Sequence, residues 1–146
     1  QIGLLTAIYP TVWGLSQLYT GKLSDIYSKK MLLFWGMLLQ AIGISLLVLA
    51  TAAFHFILLG VALGFGTALV YPTFINAISD YTHPIQRAES LGTFRLWRDL
   101  GYAVGAILTG IIADSFGIDT SIIAIGMITM LSAIIILFRV QDVKIA

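Results

Sequence analysis

Asp25 and Lys29 stand four residues apart, the spacing at which an acid and a base meet on one face of a helix. Arg95 and Asp99 repeat that spacing further along, with Arg87 and Arg98 beside them. Tyr9, Trp13 and Gln17 are also spaced by four, so a helix carries them as one stripe through an uncharged run. Tyr71, Thr73 and Asn76 form a second polar group inside an apolar stretch. If the surroundings are lipid, a lipid-facing stripe leaves the Gln17 amide unpaired. The stripe is therefore expected to face a cavity or a partner helix. Support for bond-making chemistry is thin. His55 and His83 fall in separate polar breaks, and the chain has no Cys. That removes thiolate nucleophiles, thiolate metal sites and disulfides. No catalytic residue, no metal and no cofactor is expected, and the chain is not read as an enzyme.

The elements that must position these residues are apolar. Of 146 residues, 59% are hydrophobic and 10% charged, with a mean hydropathy of +0.98. A soluble domain carries about 25% charged residues to face water. Lipid is the solvent that suits this surface. A membrane-crossing helix needs about 20 mostly apolar residues. Five such spans are predicted, over residues 2–19, 31–50, 56–78, 96–113 and 120–138. Polar breaks at 21–30, 51–55, 80–99 and 114–119 separate them. A helix entering the fourth span is predicted to start near Pro84, with Thr82 or His83 as its cap. Pro10 and Pro72 sit inside spans and are expected to bend them. The apolar start at Gln1 is read as a truncation inside a longer protein.

Five spans place the connections alternately on two sides. One side holds Lys22, Lys29, Lys30, Arg87, Arg95, Arg98, Arg139 and Lys144, which are all the basic residues of the chain. Basic residues concentrate on the cytoplasmic side of membrane proteins. The C-terminus is thus expected in the cytoplasm of a cell whose plasma or bacterial inner membrane holds the protein. The mid-membrane parts of the spans are expected to lack charge. A proton-coupled carrier would then keep its carboxylate elsewhere. The basic residues serve topology, so no nucleic-acid partner is expected.

The run Gly21, Lys22, Leu23, Ser24, Asp25, Ile26, Tyr27, Ser28, Lys29, Lys30 resembles the signature loop of the major facilitator superfamily. That pattern is roughly Gly-x-Leu-Ala/Ser-Asp-x-x-Gly followed by two basic residues. Gly21, Leu23, Ser24, Asp25, Lys29 and Lys30 match it, and Ser28 departs from the usual Gly. The stretch from Arg87 to Ala106, with Arg95, Arg98 and Asp99, is similar to the Arg-containing entry of helix eleven and its Gly-rich continuation. The resemblance implies an all-α polytopic bundle: five spans, helices eight to twelve, of a twelve-helix secondary transporter. It implies that Asp25 latches two halves together, that Arg87, Arg95, Arg98 and Asp99 form a gating network, and that Arg98 meets Asp25. It makes Tyr9, Trp13, Gln17, Tyr71 and Asn76 candidate pathway residues. The implied partners are a small-molecule substrate, membrane lipid and the missing N-terminal half. The implied activity is alternating-access transport. A non-transporting receptor or scaffold of the same fold is the alternative.

Two further patterns bear on packing. Gly110, Ile111, Ile112, Ala113, Asp114, Ser115, Phe116, Gly117 echoes the run from Gly21 to Ser28. The two copies are expected on opposite sides of the membrane, as inverted three-helix repeats require. Gly60 with Gly64, and Gly101 with Gly105, are expected to let helices approach closely.

Overall fold

The computed structural model describes residues 2–141, and these form five α-helices. They are α1 (Ile2–Ile26), α2 (Lys29–Leu46), α3 (Ala53–Tyr81), α4 (Arg87–Phe116) and α5 (Ile118–Arg139). Short 3-10 turns cover Leu47–Leu49 and Pro84–Gln86. Helix is the form that satisfies every backbone group within one segment when no water is at hand. The second to fifth of these helices are long and apolar enough to cross a membrane. α1, at 25 residues or about 37 Å, has the length. Its tyrosines, threonines, Gln17 and Pro10 leave it less apolar, so four helices rather than five pass on composition.

The connections are shorter than expected. The polar stretch at 21–30 is not a loop. α1 continues through Gly21, Leu23, Ser24 and Asp25, and only residues 27–28 break the helix. Ser28 then caps α2, its Oγ accepting from the Met31 N–H at 3.2 Å. Its φ of −51° makes no demand for glycine, which accounts for a serine at that place. The break at 51–55 narrows likewise, because α3 begins at Ala53. His55 lies in its first turn, and Nδ1 accepts from the Thr51 and Ala52 N–H groups at 3.3 and 3.4 Å. This satisfies two donors of the kind a helix start leaves orphaned. At the next turn neither expected cap operates. His83 makes no capping hydrogen bond, and the Thr82 hydroxyl donates back to the Ile78 carbonyl.

The echoed motifs end alike. Ser28 is the cap of α2, and Gly117, its counterpart, is the cap of α5. Gly117 has φ 90° and ψ 161°, a region open essentially to glycine alone.

Packing fixes the directions. α1 and α3 run parallel: Gly60 meets Ile8, Gly64 meets Val12, and Asn76 meets Ser24. α2 is antiparallel to both α3 and α5, with Leu33, Val70 and Ile136 forming the buried cluster between them. α4 pairs with α5 in a hairpin, where Ser121 Oγ donates to the Thr109 carbonyl at 2.9 Å. One end of the bundle therefore gathers the C-ends of α1, α3 and α5 and the N-ends of α2 and α4. Among the described residues, every Lys and Arg belongs to that half; Lys144 lies outside them.

Glycines set the close contacts. A Cβ on Gly36 would lie 3.0 Å from the Gly66 carbonyl oxygen, and one on Gly66 would lie 3.0 Å from that of Gly36. Gly126 sits against the Ser45 side chain of α2. The expected seam at Gly60 and Gly64 is packed, against α1. The one at Gly101 and Gly105 is not: nothing lies within 4 Å of either among the described residues. α4 has no buried residue at all.

Candidate functional site

The two parallel helices α1 and α3 meet along a groove of about 200 Å³ lined by Gln17, Gly21, Tyr71, Pro72, Ile75 and Asn76. Three of the five sequence candidates for a pathway thus share one depression. The other two adjoin it. Trp13 packs edge-on against Tyr71 with ring centroids 6.3 Å apart, and Tyr9 stacks on Trp13 at 6.1 Å. The Tyr9 hydroxyl and the Thr67 hydroxyl are hydrogen-bonded at 3.1 Å. The stripe read at spacing four therefore faces a partner helix, as the cost of an unpaired amide in lipid requires. Thr73 does not belong to the site. It is buried, and its hydroxyl donates to the Leu69 carbonyl of its own helix.

Asn76 closes one end of the groove. Its amide donates to Ser24 Oγ, and Ser24 in turn donates to the Gly21 carbonyl at 2.9 Å. Ser24 is 1% exposed, so the Ser of the signature run is a packing group on α3. Asp25, one residue on, is exposed and has no partner among the described residues. Lys29 pairs with Asp80 at the end of α3 and not with Asp25. The sequence spacing that suggested the Asp25–Lys29 pair is interrupted by the two-residue break, which turns Lys29 onto a new helix. Lys30 and Gly21 complete the run, at the first turn of α2 and in the groove wall respectively. Leu23 is half-buried in α1.

α4 carries Arg95, Arg98 and Asp99 in its first half, Arg95 and Asp99 exposed and Arg98 partly covered. Arg98 is the twelfth of its 30 residues, about 16 Å from the start of the helix. Arg98 Nη1 donates to the Tyr71 hydroxyl at 3.1 Å, and the guanidinium lies 5.6 Å from the Tyr71 ring centroid. Tyr71 itself is about 15 Å from the end of α3. Arg98 also pairs with Asp99, with Nε and Nη2 both 2.9 Å from Oδ1. The expected pairs Arg95–Asp99 and Arg98–Asp25 are not formed. Arg95 is exposed, and Arg87 stands at the first residue of α4. The helix expected to start near Pro84 begins there with a 3-10 turn over Pro84–Gln86 and continues as α4 from Arg87.

Thr20 is a buried neighbour of the groove that spacing did not single out. Pro72 has no N–H, so the carbonyl of Ala68, four residues before it, loses its helical donor. Thr20 Oγ1 donates to that carbonyl at 2.7 Å, and Thr20 is 1% exposed. The proline inside α3 had signalled a freed carbonyl; only the fold shows which side chain takes it. Among the described residues no cluster of His, Cys, Asp and Glu suits a metal ion.

Comparison with known proteins adds a family. The family model described as Major Facilitator Superfamily matches residues 1–145. An uncharacterized MFS-type transporter of Methanocaldococcus jannaschii is 26% identical over 98% of this chain and 37% of its own length. The hexuronate transporter of Bacillus subtilis is 24% identical, over 92% of this chain and 32% of its own. A multidrug resistance protein of Aeromonas hydrophila is 30% identical, over 74% and 29%. The chain spans about a third of the length of the curated relatives it matches. No solved structure matches it.

Proposed function

The chain belongs to the Major Facilitator Superfamily and is an integral membrane protein of secondary-transporter type; from that premise we propose that it forms helices eight to twelve of a small-solute carrier working by alternating access. The observation that supports this best is the α1–α3 groove. Gln17, Tyr71 and Asn76 gather in it within a bundle whose outer faces are apolar, and Arg98 is docked on its Tyr71 wall. In this reading α1 is a fifth span. Its lower apolarity follows from the polar stripe it turns toward the groove, since intramembrane polar groups face the bundle interior or a cavity. The basic end is cytoplasmic, in a plasma or bacterial inner membrane. α1–α2 and α4–α5 are the corresponding parts of two inverted repeats, joined through Ser28 and Gly117. Asp25, exposed and unpaired at the cytoplasmic end, meets the opposing half of the full-length protein. Arg87, Arg95, Arg98 and Asp99 change partners as the halves rock.

The relatives are named for different solutes, a hexuronate transporter, a probable L-galactonate transporter and a multidrug resistance protein, so they support a small solute without choosing one. Purified full-length protein in liposomes should take up a solute saturably, and Asp25→Asn should slow that uptake while leaving insertion unchanged. Ligand binding without flux across a panel of sugars, sugar acids and drugs would contradict transport and leave a receptor.

A further inference from the structure

Resting on that transporter reading, we propose that Arg98 is the recognition group for a carboxylate-bearing solute, with Asp99 as the resident counter-ion that the solute displaces. The position comes first. A guanidinium this far along a membrane helix is costly unless it faces a polar cavity or a partner. Arg98 turns toward α3, where the Tyr71 hydroxyl and ring hold it in place.

The valence comes next. A guanidinium has five N–H donors. Nε donates to Asp99 Oδ1 and Nη1 to the Tyr71 hydroxyl, while Nη2 lies 2.9 Å from the same Asp99 oxygen. Asp99 meets the Nε–Nη2 edge through one oxygen, and that edge is a fork that a solute carboxylate suits with two. The Asp99 pair is weakly built for permanence. Neighbours in sequence on a helix do not face each other. Asp99 is reached sideways and monodentately, and it is exposed.

The surroundings decide the sign of the ligand. The Trp13 indole N–H, on the ring that packs against Tyr71, is buried with no hydrogen-bond partner among the described residues. Gln17, across the groove from Tyr71, has no hydrogen-bond partner among them either. Spare donors on Arg98 and Trp13 await an acceptor, whereas a cation would meet the Arg98 charge and find its one counter-charge among these residues, Asp99, already shared with Arg98. A carboxylate bound to Arg98 replaces Asp99 and leaves its carboxyl free.

The test uses the purified full-length protein and matched pairs of probes: gluconate with sorbitol, lactate with propane-1,2-diol, and benzoate with benzyl alcohol. Binding is read by calorimetry in detergent. At least one carboxylate should bind at least tenfold tighter than its neutral counterpart. Arg98→Gln should abolish that preference. Arg98→Lys, which keeps the charge and loses the fork, should weaken it, and Asp99→Asn should strengthen it. If Arg98→Gln fails to fold, as judged by elution and melting, the opposite signs of Arg98→Lys and Asp99→Asn carry the decision. No preference in any pair, or loss of carboxylate binding in Asp99→Asn, overturns the proposal. Flux measured in parallel separates the two readings: saturable uptake with no preference for the carboxylate of any pair ends the anion assignment and spares transport, while carboxylate binding without flux does the reverse.

Discussion

Gly64→Val should detach α1 from α3 and destabilise the protein by about 3 kcal/mol, the upper part of the range for overfilling a packed interface. A Cβ at residue 64 would lie 2.7 Å from the Tyr9 carbonyl oxygen, 3.0 Å from Val12 Cβ and 3.1 Å from the Trp13 backbone nitrogen. Two of these atoms are backbone, so no rotamer change relieves the contact. The helices must move apart. Small residues are what let helices meet closely in lipid, where no hydrophobic force draws them together. Separation also pulls Trp13 from Tyr71 and opens the groove wall. Gly101→Val is the control, because nothing lies within 4 Å of Gly101 among the described residues. Thermal unfolding of the two full-length variants in detergent makes the comparison. Equal melting temperatures would show that α1 does not pack on Gly64.

Thr20→Val should cost about 1–3 kcal/mol, the penalty for a buried polar group left without its partner. Valine keeps the shape and removes the hydroxyl that donates to the Ala68 carbonyl. The cause lies on the other helix, in Pro72. Pro72→Ala restores an N–H that can reach Ala68, so in that background Thr20→Val should cost far less. The double-mutant cycle isolates this coupling from any loss of packing. Additive effects would show that Thr20 serves α3 in some other way.

Much of the architecture was readable from residues alone. Apolar runs of the right length gave the helices, and the placement of Lys and Arg gave the alternation that the packing directions reproduce. The stripe of Tyr9, Trp13 and Gln17 was readable because spacing by four fixes one face of a helix. What spacing does not contain is the identity of the neighbour. Lys29 chose Asp80, and Arg98 chose Tyr71 and Asp99, because the helix break and the α3–α4 crossing decide which groups meet. The signature run read as a loop because it is polar, yet helix continues through a polar sequence when its end faces water and the next cap is a serine. The open seam at Gly101 and Gly105 has no partner among the described residues, and no pattern in the run could have told a packed glycine pair from an open one.

The chain has no cysteine, so single cysteines report cleanly on sidedness within it. Lys22→Cys and Glu89→Cys stand at the basic end, and Thr51→Cys and Asp119→Cys at the other; all four positions are exposed. A membrane-impermeant maleimide applied to intact cells making the full-length protein should label Thr51→Cys and Asp119→Cys, and should reach Lys22→Cys and Glu89→Cys only in inverted vesicles. Labelling of Lys22→Cys and Thr51→Cys from the same side would contradict a bundle that crosses the membrane with its positive end inside.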